Sequence, residues 1–425
     1  MDVDDFLKEK ELETGDYIKI EKDSKLIEGR VMPSSKGNKL VLKLNNGYNI
    51  GIELEEIKLK EKISSSEEKQ KKEIEIEENE DLPLISVLST GGTIASSVDY
   101  RTGAVTSQFD ADDILANIPE LSKYANFRGK VVCNILSENM EPKYWKEIAN
   151  SVYKEIKKGV DGVIIAHGTD TMAYTASALS FMLETPVPIA LVGSQRSADR
   201  PSSDNVLNAI SAAKYASSNI AETAIVMHAE SSDNYCYAHR GTKARKMHTS
   251  RRDAFRSINK NPIAKIDDEV QLLDEDVNKR DEKSLKLKDG LNTNCGLLKF
   301  TPGLDEEILD KYCETFDGIV LEGTGLGHVS RSWISKIKEA NKEGIPIVMT
   351  SQCLYGRVCD RVYDTGRDLL EAGVIEGEDM LPETALIKLM WVMNRTEDLE
   401  KIKELMQENL AGEITNRTKK QTYLI

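Results

Sequence analysis

Short apolar runs recur along most of this chain, with helix-spaced segments between them. The runs lie at 85–88, 131–136, 160–166, 189–192 and 224–227. They are brief and nearly continuous in apolar character, as strands covered on both faces are. Between them, 142–158 and 204–216 place apolar residues at helical intervals, and Pro142 suits a first helical turn. Strand alternating with helix predicts an α/β layer architecture built on a parallel sheet. A polar, acidic stretch at 265–294 breaks the pattern and is expected to be an excursion or interdomain connection. A second α/β unit is expected from about 296 to 396, with strands at 319–321 and 345–349 and helices at 332–341 and 383–393. An amphipathic helix at 397–410 follows, and the tail, 413–425, is expected to be poorly ordered alone.

The first part of the chain obeys a different rule. Residues 14–60 alternate short apolar stretches with turn formers such as Lys36-Gly37-Asn38 and Asn45-Asn46-Gly47. About five short strands in so few residues suggest a small all-β, barrel-like domain, of a kind that binds more often than it catalyses. Beyond it, 63–81 is dominated by Glu, Lys and Ser, with no apolar period that could form a core. It reads as a solvated linker, with a charged helix as the alternative. The layout expected is therefore a β domain at 1–62, a linker at 63–81, α/β domains at 82–285 and 286–412, and the tail.

Composition removes several functions. The net charge of −15 argues against a surface that grips nucleic acid throughout, though not against local contact with RNA or RNA held by a partner. No apolar run reaches the roughly 18–20 residues of a membrane span, and the start Met-Asp-Val-Asp-Asp lacks signal-peptide character, so a cytoplasmic protein is expected. The six cysteines form no Cys-x-x-Cys pair and read as free thiols, with no metal site.

Two motifs carry chemistry. Ser-Thr-Gly-Gly-Thr-Ile-Ala at 89–95 follows the first apolar run and offers the hydroxyl of Thr93 after a Gly-Gly turn. His-Gly-Thr-Asp-Thr-Met at 167–172 follows another run and offers the hydroxyl of Thr169 beside the carboxylate of Asp170. Each has a plain structural reading, as a turn or a helix cap. Together they hold the parts for attack on an amide by a hydroxyl, which needs a base or polarising cation close by. Residues 239–256 are densely basic in an acidic protein, and read either as a solvated face or as the loop supplying a lysine. Gly-Thr-Gly-Leu-Gly at 323–327 lacks the Lys-Ser/Thr of a phosphate-binding loop, and His328 beside it reads as structural.

These motifs resemble the L-asparaginase family of amidohydrolases over roughly 82–406. The resemblance implies that family's two-domain parallel-sheet fold, and an acyl-enzyme on Thr93. Thr169, Asp170 and Lys246 would be a supporting triad; the family register, three residues before Thr249 and nine before Phe255, selects Lys246 over Lys243. It further implies Ser137 and Glu138 as contacts for the donor's α-carboxylate and α-amino groups, and Tyr100 as a second base on a mobile loop. The added β domain, with Ala-His-Gly-Thr-Asp-Thr-Met-Ala-Tyr-Thr and Leu-Glu-Gly-Thr-Gly-Leu-Gly-His-Val, is similar to the D-type subunit family of archaeal glutamyl-tRNA(Gln) amidotransferases. That resemblance implies ammonia release from glutamine or asparagine, with no cofactor on this chain. It also implies a partner, the E-type subunit of the amidotransferase, that uses ATP and Mg to activate Glu-tRNA(Gln) and makes most of the RNA contact, and a homodimer within a heterotetramer. A free-standing asparaginase and a silent scaffold are the alternative functions.

Overall fold

The apolar runs become the centre of a parallel sheet. Strands Asn126–Val131, Leu84–Ser89, Gly162–Ala166, Ile189–Val192 and Thr223–His228 lie side by side in that order, all parallel. Cys236–Arg240, Ala264–Ile266 and Val270–Leu272 extend the sheet antiparallel. The computed structural model describes residues 2–33, 38–44, 48–64, 79–91, 96–98, 105–107, 118–197 and 202–423. Helices Pro142–Lys157 and Met172–Met182 cover one face and Asn205–Ala216 the other. Alternation within one strand shows why its run is apolar throughout: Val163 and Ile165 enter one apolar cluster, Ile164 and Ala166 the other.

A second parallel sheet follows, ordered Cys295–Lys299, Gly318–Gly323, Ile347–Ser351 and Ile375–Glu376. Helix Pro382–Met393 packs between the units, touching Met172–Met182 on one side and Gly318–Gly323 on the other. One apolar cluster therefore runs from Val163 through Ile387 to Val320, which joins the two sheets into a common core. The N-terminal strands form a separate antiparallel sheet in the order Asn49–Glu53, Lys39–Lys43, Lys25–Val31, Tyr17–Lys22, Lys58–Ser64. Its core, with Ile18, Ile20, Leu40 and Leu42 fully buried, is closed by helix Val3–Glu9 through Val3, Phe6 and Leu7.

Three expectations change. The strand expected at 131–136 lies instead at Asn126–Val131, a polar edge strand, while Val132, Cys133 and Ile135 donate backbone bonds to Ser89 and Thr90 across the neighbouring strand's end. The helix Val3–Glu9 was not expected; it is short and charged, and shows only through its three buried apolar residues. The start of the tail is anchored: Glu413 is fully buried, paired at 2.6 Å with Lys388 inside helix Pro382–Met393. The expected excursion at 265–294 holds Val270–Leu272 and Lys286–Leu287, the latter paired with Leu183–Glu184. No helix among the described residues is long and apolar enough to cross a membrane.

Asp360 is fully buried, and neither carboxylate oxygen has a hydrogen-bond partner among the described residues. Burial first, then the Glu376 carboxylate, push its pKa up to about 7, against the pull of Arg361. A carboxyl raised in this way stabilises the fold fully below its unfolded pKa of about 4, and that contribution is lost as pH rises through about 7. Asp360→Asn is therefore expected to raise unfolding free energy at pH 8 by on the order of 2 kcal/mol and to leave it unchanged near pH 4. Urea midpoints at the two pH values check this; equal shifts at both would contradict it.

Candidate active site

The carboxyl ends of the central parallel strands converge on one point. Ala166 is in register with Ser89, and Thr90 uses both its N–H and its hydroxyl to donate to the Ala166 carbonyl. Gly91 then turns away with φ +97°, where a Cβ would lie 2.4 Å from the Ile135 carbonyl oxygen. Only glycine fits there, so the turn out of strand Leu84–Ser89 is fixed by sterics. Thr93 and Tyr100 lie outside the described residues.

The second motif is held from below by His167. The Gly168 carbonyl can only accept, so the bond of 2.7 Å requires a hydrogen on Nδ1. Nε2 then accepts from the Thr175 hydroxyl at 2.8 Å. Burial lowers the His167 pKa to about 4, so the ring stays neutral and serves as a strut. Gly193 presses on the same turn: a Cβ there would meet the Thr169 methyl at 2.9 Å. Thr169 is left nearly buried, with Asp170 exposed beside it.

Lys246 arrives from a two-stranded hairpin, Ala244–Lys246 against Phe255–Ser257, with Lys246 directly opposite Phe255. Phe255 is fully buried and anchors the hairpin. Lys246 Nζ donates to Thr169 Oγ1 at 2.9 Å and to Asp170 Oδ1 at 2.6 Å. The lysine side chain is 14% exposed and the aspartate 65%. Lys243 points elsewhere, to a fully buried pair with Asp379 at 2.8 Å. The basic run is thus neither a solvated face nor a pool of free cations. Arg240 pairs with Glu222 and Asp274, Arg245 with Glu383, Arg252 with Asp233, and both Arg251 and Arg256 with Asp253.

Ser137 is buried beside the second motif. Its hydroxyl donates to the Gly168 carbonyl at 3.0 Å and accepts the Thr171 N–H at 2.9 Å, while the Thr171 hydroxyl donates to the Ser137 carbonyl at 2.8 Å. The two loops are stitched together, and Gly168 leaves no room for a side chain, since a Cβ would lie 2.6 Å from that of Ser137. Glu138, next along the same 3-10 turn, is exposed. Thr171 escaped sequence reasoning as a site-building residue, although it stands inside the quoted motif. The loop at 323–327 lies in the second unit, and its Gly327 and His328 N–H groups both donate to the Thr324 carbonyl. Those donors are engaged internally and do not cradle a phosphate. A polar cavity of about 530 Å³, lined by Asn259, Lys260, Asp274, Thr415 and Lys419 among others, includes no triad residue.

The arrangement supplies a fixed ammonium, a hydroxyl it orients and a carboxylate that holds it, at the end of a parallel sheet where ligands bind in such folds. Sequence comparison agrees on the fold. The model of the N-terminal asparaginase domain matches residues 84–278, that of the glutaminase/asparaginase C-terminal domain 294–406, and that of the GatD N-terminal domain 12–61. The D-type subunit of glutamyl-tRNA(Gln) amidotransferase from Methanosarcina mazei is 54% identical, covering 96% of this chain and 99% of the relative. The protein of the same description from Pyrococcus furiosus is 52% identical over the whole of both chains. Among solved structures, the thermostable L-asparaginase from Thermococcus kodakarensis superposes with a TM-score of 0.71 at 36% identity, covering 78% of this chain and 99% of that one. L-asparaginase I from Vibrio cholerae gives a TM-score of 0.68 at 29% identity, covering 79% of this chain and 99% of that one.

Proposed function

We propose that this chain, which belongs to the D-type subunit family of glutamyl-tRNA(Gln) amidotransferases, is the ammonia-releasing half of that enzyme. The observation that carries the reading is the Lys246 ammonium bonded to both Thr169 and Asp170 at the carboxyl edge of the parallel sheet. Glutamine, or asparagine, is the donor. Its α-carboxylate is held from the Ser137 turn and its α-amino group by Glu138. The Thr93 oxygen attacks the side-chain amide carbon; the C–N bond breaks, and the hydroxyl proton travels by way of Tyr100 to the leaving nitrogen, which departs as ammonia. Water then cleaves the ester on Thr93 and restores the hydroxyl. While the Thr169 oxygen accepts from Lys246, its own hydrogen is free to point at the reacting group, and a fixed donor of this kind stabilises developing negative charge.

The ammonia is consumed by a partner, the E-type subunit, which uses ATP and Mg to activate the glutamate of Glu-tRNA(Gln) and makes most of the RNA contact. Two copies of each chain form the working heterotetramer in the cytoplasm, and this chain itself needs no cofactor. Amide hydrolysis of glutamine should be slow for the isolated chain and rise strongly when the E-type partner and Glu-tRNA(Gln) are added together, measured as ammonia released. Fast hydrolysis indifferent to both would favour a free-standing asparaginase instead.

A further inference from the structure

The hairpin that carries Lys246 stands on two feet, and both are tied to one residue of the second α/β unit. Just before the first strand, Lys243 Nζ donates to the Asp379 carboxylate at 2.8 Å and to the Asp379 carbonyl at 3.1 Å. Just after the second, Asn259 Nδ2 donates to the same carbonyl at 3.3 Å, and Asn259 brackets Gly356 by accepting its N–H and donating to its carbonyl. The feet are joined to each other, the Ile258 N–H donating to the Lys243 carbonyl at 2.9 Å. From the opposite side Thr415 closes the carboxylate: its N–H donates to Oδ1 at 2.9 Å and its hydroxyl to Oδ2 at 2.5 Å. The Lys243 and Asp379 side chains are both 0% exposed.

We propose that Asp379 is a positioning residue for the amide reaction: with Lys243, Asn259 and Thr415 it sets the height and tilt of the hairpin so that Lys246 meets Thr169 and Asp170. The inference rests on Lys246 acting as described above. A buried ion pair adds little net stability over an apolar pair of the same shape, but it accepts one register. Lys243 is only three residues from Lys246, roughly 10 Å of extended chain, so a slip at the foot is passed on to the ammonium. An error of about 1 Å in a reacting group costs up to about a hundredfold in rate. The segment after helix Leu399–Gln407 thereby gains a role, because its Thr415 keeps Asp379 turned towards the hairpin.

The test uses the full chain assembled with its amidotransferase partner and compares Lys246→Met, Lys243→Met, Thr415→Val and Thr415→Ser. Rates are taken per folded site, with thermal melting recorded alongside. For Lys243→Met and Thr415→Val, kcat with glutamine should fall roughly ten- to a hundredfold with KM within about twofold, and Thr415→Ser should recover most of it. The ammonia-driven reaction should be untouched. A Thr415→Val enzyme that melts lower but keeps its kcat per folded site overturns the proposal, as does a loss that appears only in KM or is not rescued by serine. Full activity in Lys246→Met would instead overturn the role of Lys246, and the clamp with it. Loss there alongside normal Thr415→Val kinetics removes the clamp alone.

Discussion

Lys246→Met is expected to lower glutamine-driven transamidation by on the order of a thousandfold, while transamidation driven by added ammonium salt continues. Methionine fills nearly the same volume but cannot donate, so Thr169 Oγ1 and Asp170 Oδ1 lose bonds of 2.9 and 2.6 Å together. An exposed carboxylate then stands beside the donor amide without its cation, and the Thr169 hydroxyl is free to rotate. Lys246→Arg should rescue little. The guanidinium is planar and longer, and it cannot place a single point charge between a hydroxyl and a carboxylate on adjacent residues. The measurement is a pair of steady-state rates, with glutamine and with ammonium, on the same preparation. Equal losses in both would show that Lys246 supports assembly and not amide chemistry.

The contrast between Lys246 and Lys243 shows how much of the site could be read without coordinates. Thr169 and Asp170 are neighbours in sequence, and the strand that precedes them is buried on both faces, so their place at a strand end was legible. Lys246 was singled out only through the family resemblance, by its spacing to Thr249 and Phe255; that the hairpin sets it directly across from Phe255 is a finding of the structure. What local pattern could not reveal is pairing across long separations. The Lys243–Asp379 contact spans 136 residues, and nothing around either residue announces the other. Glu413 looks like part of a polar tail, yet it is buried against Lys388 in a mostly apolar helix. The same limit displaced one strand. The apolar Val132, Cys133 and Ile135 cross the end of strand Leu84–Ser89, whereas Asn126–Val131 sits at the sheet edge and tolerates polar side chains.

The proposed reaction gives two threonines different work. Thr169 accepts from an ammonium that is itself held by Asp170 at 2.6 Å. An ammonium in that position is a donor and not a base; it occupies a lone pair of the Thr169 oxygen and takes no proton from it. A hydroxyl so engaged suits orientation and charge stabilisation better than attack. In the proposed reaction the nucleophile is Thr93, as the resemblance to the asparaginase family implies; it stands two residues beyond the Gly91 turn in sequence. A diazoketone analogue of glutamine should therefore label the peptide that contains Thr93, as located by mass spectrometry of the digest. Thr93→Ala should take no label and should lose glutamine turnover by on the order of ten-thousandfold or more. Thr169→Val should still be labelled, only more slowly, because it keeps the attacking oxygen and loses the group that steadies the transition state. A stable adduct on Thr169, or labelling that survives Thr93→Ala, would reverse the two roles and make Lys246 the partner of the nucleophile itself.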